Sequence, residues 1–181
     1  RSGTINAINN TFIENTSDDY GGGLCVSSFL DDHIAEINVY NNIIWNNVST
    51  NEPSSSDLYA YDAENRTVNV YNNDYSSFVR AGYGTLNQGD NIDQDPLLSA
   101  DFHLQAGSPA INSGTNSVPI FLPSEDFEGD PRIVDGTVDM GADERLWGDN
   151  PIPTMNEWGL IILSLLLGGF GFWYVRRGAV V

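Results

Sequence analysis

Ile37-Asn38-Val39-Tyr40-Asn41-Asn42-Ile43-Ile44-Trp45-Asn46-Asn47 carries the pattern on which the architecture rests. It divides into two short runs of β-branched and aromatic residues, broken at an Asn-Asn pair. An echo, Ile5-Asn6-Ala7-Ile8-Asn9-Asn10-Thr11-Phe12-Ile13-Glu14-Asn15, lies 32 residues upstream, and a more degraded copy, Val68-Asn69-Val70-Tyr71-Asn72-Asn73, begins 31 residues downstream. Asparagine tolerates the left-handed backbone region and can bond its own backbone. Asn9-Asn10, Asn41-Asn42 and Asn72-Asn73 therefore suit sharp corners between strands. Corners that recur at a fixed period let successive coils stack, with these asparagines aligned as a ladder bonded above and below. That is the signature of a parallel β-helix, in which each rung needs its neighbours to bury its apolar face.

A third strand of each rung is also visible. Gly21-Gly22-Gly23 precedes Leu24-Cys25-Val26, and Asp57 precedes Leu58-Tyr59-Ala60-Tyr61. Polar loops such as Ser49 to Asp57 should project from one corner. No segment before Trp158 sustains a 3.6-residue period, so helices are not expected there. Across about residues 3–80 the copies resemble the repeats of right-handed parallel β-helix proteins of the pectate-lyase type. Right-handedness is what that resemblance implies.

Downstream, Asn91-Ile92-Asp93-Gln94-Asp95-Pro96-Leu97 is followed by Asp101-Phe102-His103-Leu104 and Gly107-Ser108-Pro109-Ala110-Ile111-Asn112-Ser113-Gly114. Asp126-Phe127-Glu128-Gly129-Asp130-Pro131-Arg132 and Val138-Asp139-Met140-Gly141-Ala142-Asp143-Glu144 complete the region. This order resembles the choice-of-anchor Q domain, which closes many surface β-helices ahead of an anchor. An open solenoid end exposes strand edges and apolar interior, so a terminal cap is expected.

The C-terminus has a different character. Ile152-Pro153-Thr154-Met155-Asn156-Glu157-Trp158-Gly159 leads into an uncharged run from Trp158 to Val175, closed by Arg176-Arg177. As a helix that run would rise about 27 Å, close to the roughly 30 Å of a bilayer's hydrocarbon core. The paired arginines place the end of the chain in the cytoplasm and everything before it outside. The segment resembles the IPTL-CTERM (IPTLxxWG) sorting signal of Gram-negative envelope proteins. Ile152, Pro153, Thr154, Trp158 and Gly159 match it, Met155 stands where Leu is usual, and Arg176 and Arg177 form the basic end. The resemblance implies an exosortase-class membrane transpeptidase as partner. A plain single-span anchor is the alternative.

The expected chain is thus all-β: a right-handed parallel β-helix over 1–87, truncated at its N-terminus, and an irregular β cap over 88–147. A linker with the sorting motif over 148–157 and one transmembrane helix with a basic tail over 158–181 follow. Truncation is expected because Arg1 is not a start Met and no signal peptide precedes an outward-facing domain. An uncapped solenoid made as residues 1–147 alone is expected to aggregate. Twenty-five acidic residues against seven arginines and no lysine repel nucleic acid and anionic headgroups. One cysteine, Cys25, excludes an internal disulfide and reads as a small filler of a core strand.

Signals for catalysis are weak. A lyase of the pectate type needs a basic residue beside the uronate, and Arg66 and Arg80 are the candidates in the rungs, without a matching motif. Asp18-Asp19 and Asp31-Asp32 are conceivable glycosidase pairs but read as solvated turn acids. Asn91, Asp93 and Asp95 alternate as at the start of a calcium loop, yet Pro96 replaces the glycine turn and no acid closes the loop. They stand as the metal candidates of the chain; no cofactor is expected, with calcium at these residues the alternative. Asp135, Asp139 and Asp143 have helical spacing in a region whose Pro131, Gly136 and Gly141 oppose a helix. His33 and His103 each read as isolated, Ser108 lacks the second glycine of a nucleophile elbow, and Asn9, Asn15, Asn47 and Asn65 match the glycosylation sequon as chance allows. Tyr40, Trp45, Tyr59, Tyr61 and Tyr71 read as packing within or across rungs, with sugar stacking the alternative. The functional expectation is a non-catalytic structural or adhesive protein of a Gram-negative cell surface, binding a polysaccharide or envelope polymer. The alternative is a surface-attached polysaccharide lyase or glycoside hydrolase whose catalytic rungs lie upstream.

Overall fold

The computed structural model describes residues 3–27, 34–146 and Leu165. Those up to Leu146 belong to one compact unit, and its strands pair in parallel in every sheet. The first repeat supplies β1 (Gly3–Ile8), β2 (Thr11–Ile13), β3 (Thr16–Ser17) and β4 (Leu24–Ser27). The second supplies β5 (Ile34–Tyr40), β6 (Ile43–Trp45), β7 (Val48–Ser49), a 3-10 turn (Pro53–Ser55) and β8 (Leu58–Asp62). The third contributes β9 (Thr67–Tyr71), β10 (Asp74–Tyr75) and β11 (Phe78–Gly82), and β12 (Thr85–Gly89) follows. Equivalent strands lie beside one another, in the orders β1-β5-β9-β12, β2-β6-β10, β4-β8-β11 and β3-β7.

Register follows from the repeat. Ile5 pairs with Ile37 and Ile37 with Val68, while Ala7, Val39 and Val70 form the next row. These side chains point inward on a period of two. Ile37, Val39, Val68 and Val70 meet Ile44 from the second sheet and Val26, Leu58 and Ala60 from the third in one buried core. On β4 the same alternation buries Val26 and exposes Cys25. Cys25 is therefore not the core filler expected of it: its neighbour took the inward position.

Corners are made by residues in the left-handed region. Asn9, Asn41, Asn72 and Asp90 have φ of 52°, 55°, 52° and 54°. The next residue at each corner points its amide into the stack. Asn10 Nδ2 donates to Asn42 Oδ1 (3.1 Å), Asn42 Nδ2 to Asn73 Oδ1 (2.8 Å) and Asn73 Nδ2 to Asn91 Oδ1 (3.0 Å). Two further rows were not foreseen. Asn38 donates to Asn6, Asn69 to Asn38 and Asn87 to Asn69 along the first sheet. At the second corner Asn15 donates to Asn47, and Asn47 to Asp57, whose other carboxylate oxygen accepts from Ser76 and Ser77. An amide carries donor and acceptor together, so equal residues in register satisfy one another at every level. The last step is 18 residues rather than 31, because the third repeat passes from β10 to β11 without the long loop.

Residues 93–146 contain almost no regular structure; their ladder content is two antiparallel bridges, Leu98 with Leu104 and Glu125 with Pro131. An end cap was expected. This segment lies along the flank of the repeats. Ile43, adjacent to inward-facing Ile44, points outward and is buried against Leu104, Ala110 and Met140. The corner asparagines hold the segment: Asn9 Nδ2 donates to Asp139 O, Asn72 Nδ2 to Ser113 O, and Asn41 exchanges two hydrogen bonds with the Thr115 backbone. Gly141 (φ 98°) donates to Asn41 O, and a Cβ there would meet Ile43 Cδ1 at 2.8 Å and Thr11 Oγ1 at 2.9 Å. The expected boundary at 87/88 falls inside β12, and Ile92 still pairs with Asp74, so stacking continues beyond it. Among the described residues no helix is long and apolar enough to cross a membrane. The run 158–175, Leu165 apart, lies outside them.

Asn42 is fully buried; its amide donates to Ala7 O and Tyr40 O besides Asn73, and its oxygen also accepts Asn10 N–H. Asn42→Ala should cost about 3 kcal/mol or more by stranding several buried groups at once. Asn42→Asp should cost at least as much, since it turns an oxygen toward three acceptors. Asn10→Ala, half-buried at the end of the row, should cost about 1 kcal/mol. Urea denaturation of the full chain checks the order; equal losses at Asn10 and Asn42 would contradict the ladder's weight.

Candidate functional site

With little secondary structure to occupy its amides, the 93–146 segment uses carboxylates as backbone staples. Asp126 Oδ1 accepts from the N–H groups of Glu128, Gly129 and Asp130, and its Oδ2 from Glu144 N–H. Asp139 accepts from Asn112 and Arg145, while Glu144 accepts from Val134 and Asp139. Arg132, almost fully buried, donates to the carbonyls of Gly141 and Ala142 among the charges of Asp126, Glu144, Asp143 and Asp139. Burial pushes the Glu144 carboxyl up to about 7 despite the two amides it accepts, and burial likewise raises Asp139.

One corner of this acidic segment gathers a mixed group. His103 Nδ1 lies 3.2 Å from Asp143 Oδ1 and 3.3 Å from Glu128 Oε2, and its Nε2 lies 3.7 Å from Asp101 Oδ2. Phe127 tilts against the imidazole at 5.4 Å. Asp143 is fixed by Leu104 N–H on its other oxygen (2.7 Å), and His103 N–H is held by Ser99 Oγ. Burial opposes charge on His103, but the bond to Asp143 and the charges of Asp143, Glu128 and Asp101 outweigh it and raise its pKa. Among the described residues His103, Glu128 and Asp143 are the group whose ligand atoms converge, all within 4.8 Å of one another. His103 is therefore not isolated, as its sequence context had implied. Asp101 is a neighbour in sequence, but Glu128 and Asp143 lie 25 and 40 residues away in a stretch without periodicity, so no local pattern announced them.

The other candidates scatter. Asn91 closes the ladder, accepting from Asn73 and donating to Val70 O, which leaves no calcium loop with Asp93 and Asp95; Asp95 caps Leu97 N–H. Asp18 and Asp19 are exposed, Asp19 accepting from Asn51. Arg80 is bound by Asp62 at 2.7 Å and by Gly84 O, so it is not a free base. Asp135, Asp139 and Asp143 share no helix, and Ser108 Oγ donates to Pro96 O. Tyr40 stacks on Tyr71, and Tyr59 on Tyr20, across or between repeats. His33, Asp31-Asp32 and the motif residues Ile152, Pro153, Thr154, Met155, Trp158, Gly159, Arg176 and Arg177 lie outside the described residues.

Compared with known proteins, residues 150–177 match the IPTL-CTERM motif. No curated protein and no solved structure matches the chain. The motif supports an exosortase-type sorting signal and implies export to the cell surface with processing by an enzyme of that type.

Asp74 occupies an outward position in register with Ile43 and Ile92, against the flanking segment. Its Oδ1 accepts Gln94 N–H, while its buried Oδ2 has no partner. Burial drives its pKa up to about 7, with Asp93, Asp57 and Asp95 adding to the rise. A carboxyl raised on folding stabilises most below its unfolded pKa and loses that contribution as pH climbs toward about 7. Asp74→Asn should match the parent near pH 4 and exceed it near pH 8 by on the order of 2–4 kcal/mol. Denaturation curves at both pH values check this; a gap independent of pH would contradict it.

Proposed function

We propose that the chain is a non-catalytic structural or adhesive protein of a Gram-negative cell surface. It is built on a right-handed parallel β-helix and carried to the envelope by its C-terminal sorting signal. The observation that carries this reading is the IPTL-CTERM match at residues 150–177. Several features of the folded part support the display role. Parallel strands stack at the repeat period, with asparagine rows joining successive levels. The buried carboxylates Asp57, Asp62, Asp139 and Glu144, and the half-buried Asp126, accept hydrogen bonds from the protein's own groups, the work of a scaffold. A strongly acidic surface suits an exported protein that must stay apart from its neighbours.

In this reading residues 158–175 hold the protein in the membrane during export, with Arg176 and Arg177 on the cytoplasmic side. The transpeptidase recognises Ile152, Pro153, Thr154, Met155, Trp158 and Gly159 and cuts near Pro153-Thr154, passing the outer part to a surface acceptor. The six corner asparagines Asn9, Asn10, Asn41, Asn42, Asn72 and Asn73 serve as the structural ladder, and residues 88–147 as the choice-of-anchor-type module. A polysaccharide or envelope polymer is the ligand class for the exposed flanks.

The C-terminal mass of the protein recovered from its host's envelope tests the proposal. A terminus near Thr154, or one bearing an added polymer, is the expected result. Pro153→Ala with Thr154→Ala should leave the chain uncut and held in the membrane fraction. An intact end at Val181 in the unaltered protein would refute sorting.

A further inference from the structure

We propose that His103, Glu128 and Asp143 form a binding site for a divalent first-row transition ion of the zinc class, joining three loops of the flanking module. Their spacing is the first ground. A tetrahedral ion with bonds of about 2.0–2.1 Å separates its ligands by about 3.3–3.4 Å. His103 Nδ1 stands 3.2 Å from Asp143 Oδ1 and 3.3 Å from Glu128 Oε2. Those two edges already have the size such an ion needs.

Preorganisation is the second ground. Each ligand is placed by bonds that do not involve the other ligands' metal-facing atoms. Asp143 uses its second oxygen on Leu104 N–H, His103 is held through Ser99 Oγ, and the Glu128 backbone is pinned by Asp126 Oδ1. Asp101 Oδ2 lies 3.7 Å from Nε2 and adds negative charge on the far side of the ring, and an ion entering the group would displace any proton that Nδ1 shares with Asp143. Carboxylates outnumber the guanidiniums of Arg132 and Arg145 here, so a further cation relieves repulsion.

The donor set chooses the ion. One imidazole with two carboxylates suits zinc, manganese or nickel better than calcium, which takes six or more oxygens. Glu128 is exposed on one side, so water completes the coordination, and the role is a crosslink between residues 101–104, 126–130 and 139–145. Nothing in this inference depends on the fate of the C-terminal tail.

Zinc titration of chelator-stripped full-length protein in detergent, followed by calorimetry, tests it. One zinc per chain at micromolar affinity is expected. His103→Gln and Glu128→Gln should each weaken binding about tenfold or more, while His33→Gln leaves it unchanged. Saturating zinc should raise the thermal midpoint by about 5–10 °C in the parent and not in Glu128→Gln. Glu128→Gln alters an exposed side chain, so it keeps the test valid even where His103→Gln unfolds. Absence of a saturable site overturns the proposal. So does parental affinity in Glu128→Gln, loss of binding in His33→Gln, or calcium binding as tightly as zinc.

Discussion

A buried amide must find both a donor and an acceptor, and in this chain it finds them in the equivalent asparagines one repeat before and one repeat after. That requirement holds the sheets in register. Asn42 is fully buried, and a slip of its strand by one residue would strand its amide as well as turn its apolar neighbours outward. The apolar rows of Ile37, Val39, Val68 and Val70 supply the larger burial energy, but apolar contacts alone tolerate sliding. The asparagine rows do not. They also run in opposed directions. Side-chain donors in the rows through Asn10 and Asn15 point toward later positions, while those of the Asn6-Asn38-Asn69-Asn87 row, and Asn41 toward Asn9, point to earlier repeats. The corner row through Asn47 ends on Asp57, a group that only accepts, where a row of forward-pointing donors has to end.

The flanking segment solves the same problem by other means. Lacking a repeat to pair with, its amides turn to carboxylates, and two of those, Asp139 and Glu144, are buried in the process. Raised pKa values at Asp139 and Glu144 are the consequence, and Arg132 sits among them as a partial counterweight. Acidic composition, read at first as a matter of surface and export, is therefore partly an internal building material.

The all-β, parallel character was legible because the Asn-Asn pairs repeat at nearly constant spacing, a pattern that few other arrangements would require. Placement of the flanking segment was not. Ile43 and Ile44 are identical in sequence, and only the fold tells that one faces the core and the other faces Met140. Asn91 resembled the start of a calcium loop because the shortened third repeat moved it out of the 31-residue rhythm. Asn38 and Asn69 looked like ordinary polar alternation within strands. The His103 group joins distant loops, and no periodicity links them.

The flanking segment grips Asn9, Asn41 and Asn72, one corner in each of three repeats. A solenoid tethered by its last level would peel under tension, one interface breaking after another. Here the tether emerges from a segment bonded side-on to several levels, so a pull on it is shared among parallel attachments. Resistance to pulling then scales with the number of repeats gripped rather than with the strength of the weakest one. Under the anchoring proposed above, this would make the folded part a better mechanical link than a single attachment allows.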